Sequence, residues 1–181
     1  MFKHEIQVIK FLLQWYSINA RNLPWRKKNN LNLPDPYLVF VSEYMLQQTT
    51  VNTVKNKFND FILKWPSVNK LAQTSEPNIL KFWSGLGYYS RARNLLKSAK
   101  IINKNFKNKI PQAYDELIKL PGIGDYTAKA ILGIGFNKSV MPLDANIERI
   151  LVRLHAIDKP INKVKNKLKD LGKKFILDKY S

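Results

Sequence analysis

Cysteine is missing from all 181 residues, which excludes disulfides and thiolate-held metal anywhere along them. Acidic side chains are few, 13 against 31 basic ones, and the resulting formal charge of +18 favours a polyanionic partner. Part of that excess carries no message. The chain is rich in Lys, Asn and Ile, as an AT-biased genome makes it, and about half of the charge is assigned to solvated faces on that account. Long apolar runs are lacking too: the longest near the middle, Tyr37 to Val41, falls far short of the roughly 18 residues a membrane span needs. The start, Met1-Phe2-Lys3-His4-Glu5, carries an acid early and no small-residue cleavage site, unlike a secretory signal. Period-two alternation of useful length, internal repeats and low-complexity linkers are absent as well. What remains reads as a cytoplasmic globular chain, 45% apolar, long enough for one large domain or two small intertwined ones.

Helical spacing runs from end to end. Ile6, Ile9, Phe11, Leu12, Leu13 and Tyr16 form one apolar face, stopped by Asn19 and by Leu23-Pro24-Trp25-Arg26. Residues 27–36 are polar and proline-bearing and read as a loop. A helix over 37–50 is apolar nearly all round and is expected to be buried, whereas one over 52–65 is amphipathic with its lysines outward. Shorter helices are expected at 69–72 and 77–83, and a longer one at 90–105, opened by the turn Gly85-Leu86-Gly87-Tyr88-Tyr89. A helix over 145–154 and a last one from Pro160, with Ile161, Val164, Leu168, Leu171 and Phe175 at helical spacing, complete an all-α architecture.

The most informative segment is Leu120-Pro121-Gly122-Ile123-Gly124-Asp125-Tyr126-Thr127-Ala128. Residues 113–120 and 126–134 both have helical spacing, so two glycines one residue apart lie between two helices. They let the backbone turn tightly and point the first amides of the second helix at an anion, here read as a DNA phosphate. This is a helix-hairpin-helix pattern.

Two carboxylates stand out. Glu43 lies in a helix otherwise made of apolar and aromatic side chains, where desolvation raises a carboxyl pKa toward neutrality and makes a general acid; its plain alternative is a carboxylate that reaches the surface or a neighbouring Arg. Asp144, in Leu143-Asp144-Ala145-Asn146, stands where a helix begins, and from the residues alone its commoner role is an N-cap. A capping carboxylate stays ionised, and a fixed anion is also what an oxocarbenium-like transition state requires. One neutral acid and one charged carboxylate divide the labour of breaking a glycosidic bond. The expectation is that they meet in a cleft between two helical domains, one of residues 29–137 and one of residues 1–28 with 138–181.

These motifs, with Ser42-Glu43-Tyr44-Met45-Leu46-Gln47-Gln48-Thr49 and Ser90-Arg91-Ala92-Arg93-Asn94-Leu95, closely resemble the adenine DNA glycosylase (MutY) family of the helix-hairpin-helix DNA glycosylase superfamily, in the family's order and over most of the chain. The resemblance implies a six-helix bundle with a second helical domain, incomplete here. It implies a base-excision repair enzyme that hydrolyses the N-glycosidic bond of adenine mispaired with 8-oxoguanine or guanine, acting as a monomer on double-stranded DNA in a bacterial cytoplasm, at the nucleoid. Glu43 is similar to the acid that protonates adenine, Asp144 to the carboxylate that stabilises or traps the sugar cation, and Tyr126 and Asn146 to the residues supporting them. Gln48 and Tyr88 resemble side chains that wedge into the base stack as adenine is extruded. Arg26, Thr49 and Leu86 fall at base- and DNA-binding positions, as do Gly122 and Gly124 of the hairpin. Without the resemblance, Tyr88 reads as a core aromatic, Gln48 as a surface residue and Arg26 as a solvated charge. Related endonuclease III enzymes carry a Schiff-base Lys where this chain has Tyr126, so the resemblance implies a monofunctional enzyme, with Lys129 no substitute.

The chain departs from the family in two places. Ala145 stands where most of the family has Gly, a mild change. The family also continues with further helices, four cysteines holding a 4Fe-4S cluster and a domain that reads 8-oxoguanine, whereas these residues stop at Ser181. The expectation is a fragment or a natural truncation with no cofactor and no metal in this chain, and with weak excision in isolation. The rival readings are a non-catalytic DNA-binding remnant and a related mismatch glycosylase with another target base.

Overall fold

Asp35 and Pro36 start the helix around which most of the chain is built. In the computed structural model, which describes residues 3–26 and 33–176, Asp35 caps α2 (Pro36–Leu46) by accepting the Tyr37 amide at 2.8 Å, and the proline occupies the first turn, where no intrahelical partner is lost. Tyr37 and every residue from Val39 to Met45 are buried. Each large apolar side chain so enclosed contributes on the order of 1.5–3 kcal/mol.

The chain divides into two compact units, Leu23–Lys138 and Met1–Asn22 with Ser139–Ser181. In the first, α2 packs against α3 (Val51–Lys64), α6 (Ser90–Asn105) and the turn Pro24–Arg26. The helices α4 (Val68–Ala72), α5 (Glu76–Trp83) and α7 (Tyr114–Leu117) lead to α8 (Asp125–Ala130), which widens into a π turn over Ile131–Gly135. That turn lies on α2 so closely that a Cβ built on Gly135 would stand 3.2 Å from Pro36 Cα. Edge-to-face contacts of Trp25 with Phe58 at 5.3 Å and of Phe82 with Phe61 and Trp65 at 5.5 and 5.3 Å fill the core. The architecture is all-α, with no strand among the described residues.

Four expectations are corrected. The domain boundary expected near residue 28 falls outside the described residues, as does most of the 27–36 loop, but Leu23–Arg26 belongs to the larger unit because Trp25 is buried against Phe58 there. The helix expected over 37–50 ends at Leu46: Gln48 adopts φ +55° and Thr50 caps α3 through a hydroxyl that accepts the Thr53 amide. The helix expected over 113–120 shortens to Tyr114–Leu117, ahead of Pro121 and Gly122. The one expected over 126–134 is α only to Ala130.

The smaller unit contains α1 (Lys3–Asn19), α9 (Ala145–Leu154) and α10 (Ile161–Lys173). Leu151, Val164 and Leu168 form its core, with Leu143, Ile147 and Leu171 packed around them. In α1, Ile9 is buried but Phe11, Leu12, Leu13, Trp15 and Tyr16 are exposed. Three consecutive apolar residues sweep about 200° of a helix surface, so no one neighbour covers the face the sequence suggests. Among the described residues no helix is long and apolar enough to cross a membrane.

Candidate functional site

The burial of α2 determines the state of Glu43. Its side chain projects from a helix with apolar neighbours along the chain, it is 8% exposed, and burial pushes its carboxyl up to about 7, opposed by the charge of the half-buried Arg26. A carboxyl group so placed is largely protonated on the acid side of neutrality, so it can give a proton rather than take one.

Beyond α2 the chain makes two exposed turns. Gln48 is exposed with φ +55°, and Tyr88, 62% exposed, has φ +44°, both in the left-handed region that costs a non-glycine residue energy. Tyr88 is therefore no core aromatic. Leu86 is buried beneath its turn, and Thr49 Oγ1 lies 3.4 Å from the Leu86 carbonyl. Between the turns lies Arg91, buried from α6. Its Nη1 donates to the carbonyls of Tyr44 and Met45 at 3.2 and 2.7 Å, and its Nη2 to Thr49 Oγ1, Leu86 O and Gly87 O at 2.9, 2.7 and 3.1 Å.

The hairpin is tied to the same helix. Pro121 O accepts from Tyr44 Oη and from Ser98 Oγ, the latter at 3.1 Å, and Gly122 O accepts from Gln47 Nε2 at 3.1 Å. The two hairpin glycines differ in kind. Gly122 has φ +80°, and a Cβ there would lie 2.9 Å from Asn94 Cβ and 3.0 Å from Tyr44 Cε1, so fold geometry demands it. Gly124 is extended, with open space where a Cβ would go. Tyr126 is exposed in the first turn of α8. Lys129 is engaged by Asp125 at 2.8 Å, and Asp125 also accepts the Tyr114 hydroxyl at 2.8 Å.

In the smaller unit Asp144 caps α9 as its position suggests. One carboxylate oxygen accepts the Ile147 amide at 2.8 Å, and the other accepts Asn146 Nδ2 at 3.0 Å. Arg149 Nη2 donates to Asn146 Oδ1 at 2.7 Å, which fixes the amide with its NH₂ toward Asp144.

The structure thus brings Arg26 to Glu43, gathers Thr49, Leu86 and Tyr88 about Arg91, and sets Asn146 on Asp144. Sequence reasoning overlooked Arg91 and Arg149. Arg91 had a signal: it shares the i, i+4, i+7 stripe of Leu95 and Ser98 on α6, and an arginine on a buried stripe must find several acceptors. A four-iron cluster is held by thiolates, and with no cysteine present these residues do not fit one. Among the described residues no cluster of His, Cys, Asp or Glu could hold a metal ion.

The family model described as HhH-GPD superfamily base excision DNA repair protein matches residues 41–174. The chain is similar to the adenine DNA glycosylase of Buchnera aphidicola subsp. Schizaphis graminum, 46% identical over 149 residues that cover 82% of this chain and 42% of the relative. It is 39% identical over 164 residues to the adenine DNA glycosylase of Homo sapiens, covering 87% of this chain and 30% of that one. It therefore spans less than half the length of these relatives. Among solved structures it is similar to a thermostable thymine-DNA glycosylase, with TM-score 0.83 and 23% identity over 97% of this chain and 79% of that chain. A trapped endonuclease III–DNA covalent intermediate follows, with TM-score 0.74 and 20% identity over 94% of this chain and 78% of that chain. Both show the fold.

Proposed function

Because the chain belongs to the HhH-GPD superfamily of base excision DNA repair proteins, we propose that it acts as a monofunctional glycosylase releasing adenine mispaired with 8-oxoguanine or guanine in double-stranded DNA. The observation that carries this reading is Glu43, an acid pushed up to about 7 by burial in α2. It donates its proton to a ring nitrogen of the extruded adenine, so that the base leaves as a neutral group with the electron pair of the glycosidic bond. The sugar is left as an oxocarbenium ion, which the Asp144 carboxylate stabilises or traps until water adds to the anomeric carbon and loses a proton. Asn146 and Tyr126 support that carboxylate. Gln48 and Tyr88 fill the space that the base leaves, Arg26, Thr49 and Leu86 line the approach, and the hairpin at Gly122 and Gly124 takes a phosphate. The net charge of +18 supplies sequence-independent attraction to the duplex.

Tyr126 stands where a lyase would need lysine, and Lys129 is held by Asp125. The product is therefore an intact strand bearing an abasic site. Single-turnover assays on duplexes with adenine opposite 8-oxoguanine, adenine opposite guanine, and thymine opposite guanine test the reading. Release from the first two and not the third is expected, with no borohydride-trapped adduct. Thymine release would reassign the target base, and binding without release would leave a DNA-binding module.

A further inference from the structure

Arg91 is 5% exposed, and every acceptor it is bonded to is neutral: four backbone carbonyls and one hydroxyl. A guanidinium taken out of water without a carboxylate is costly unless its donors do something an apolar residue could not. Here those acceptors come from three separate stretches. Tyr44 and Met45 offer carbonyls that α2 leaves unpaired where it ends early. Thr49 lies in the turn that carries Gln48. Leu86 and Gly87 lie in the turn that carries Tyr88, and Trp83 Nε1 also donates to Gly87 O at 3.1 Å. The guanidinium carbon lies 5.5 Å from the Trp83 ring centre and 5.7 Å from that of Tyr88. Both turns hold a strained non-glycine residue, which persists only where the surroundings over-determine it.

We propose that Arg91 is a positioning residue that cross-braces the turns at 47–50 and 85–89, so that Gln48 and Tyr88 enter the base stack as one rigid two-pronged wedge. This rests on the reading that those two side chains enter the duplex. The planar fork of an arginine spans acceptors on both turns at once, whereas the ammonium of a lysine is a point donor that cannot.

The test compares the unaltered chain with Arg91→Lys and with Thr49→Val, which deletes only the hydroxyl acceptor. Hydrogen exchange is read at the bonded amides of Thr49 and Leu86, whose acceptors are Leu46 O and Trp83 O. Extrusion is read by 2-aminopurine fluorescence at the mispaired position. Release is read with adenine opposite guanine and opposite an abasic analogue, where less stacking must be broken. Arg91→Lys should speed exchange in both turns together and leave the amide of Ile123 in the hairpin unchanged. Extrusion and release opposite guanine should fall at least about tenfold, the deficit opposite the abasic analogue should shrink to about threefold or less, and duplex affinity should hold within about twofold. Thr49→Val should do the same more weakly, and it decides the matter if Arg91→Lys does not fold. Loosening of one turn alone, or an equal deficit on both substrates, would overturn the brace. If the unaltered chain released no adenine, the functional reading would fall, and the exchange and 2-aminopurine data would still judge the brace.

Discussion

Glu43 in α2 and Asp144 ahead of α9 are both carboxylates on helices, prepared in opposite ways. Glu43 sits in the interior of a buried helix, and loss of water dominates its state; the charge of Arg26 restores only part of what burial removes. Asp144 is half-buried at a helix start, and each of its oxygens accepts a hydrogen bond, one from the backbone and one from Asn146. The acid is made by subtraction and the anion by provision. A fold can therefore tune two like groups apart with surroundings drawn from one helix each, and the two tunings have different vulnerabilities.

The sharpest way to separate them is Glu43→Gln. Release should fall by about 10²–10⁴, while the fold gains. The folded pKa of about 7 lies above the reference 4.5, so between those values the folded chain binds more protons than the unfolded one, and stability falls as pH rises through that window. By pH 8 the ionised carboxylate costs about 3 kcal/mol, which the amide avoids. Denaturation at pH 4 and pH 8 should show the variant equal to the unaltered chain at the first and more stable at the second. A loss of stability at pH 8 would mean that the carboxylate is not desolvated.

Asp144 should behave inversely. Asp144→Asn should lower release about 10²–10³-fold with little change in stability, since asparagine caps as well. Asp144→Ala should lose release and about 1 kcal/mol of stability together. Melting curves and single-turnover rates on both variants distinguish these outcomes; an active alanine variant would reduce Asp144 to a cap.

A smaller effect is expected from Asn146→Leu, which removes one donor from Asp144 and should slow release about tenfold without moving its pH dependence. The smallest concerns Arg26→Gln. Release should decline as pH rises past about 7 in the unaltered chain, because Glu43 then loses its proton. Removing a cation that lowers that pKa should move the decline to higher pH. A shift to lower pH would contradict the influence assigned to Arg26.

The helices were legible because burial imposes a 3.6-residue period on α2, α3, α6, α9 and α10. The two carboxylates were legible for related reasons, an acid among apolar residues and an acid before a helix. Endings were harder to read. Nothing in Gln48 announces a left-handed residue, and the apolar pattern of α2 runs on past Leu46 without a glycine or proline to stop it. Arg91 was hidden because an arginine counts as surface charge until the five acceptors around it are seen. In α1 a correct helix came with an incorrect face, since periodicity records where apolar residues point and not whether anything lies against them. Gly124 is the reverse case: its motif flags it, yet neither its backbone angle nor its surroundings within the fold require a glycine.

The π turn over Ile131–Gly135 amounts to one extra residue lodged between the hairpin helix and the surface of α2. Deleting a residue there would restore regular α-helix and lose no charged or polar side chain. It would also rotate everything before the deletion by about 100° relative to everything after it. With Gly135 seated on Pro36, the part free to turn is the other end, where Tyr126 and the hairpin amides lie. The aim of the DNA-facing end is thus set by a count of residues ten positions away, and an in-frame loss of one codon there could silence the site with every named side chain still present.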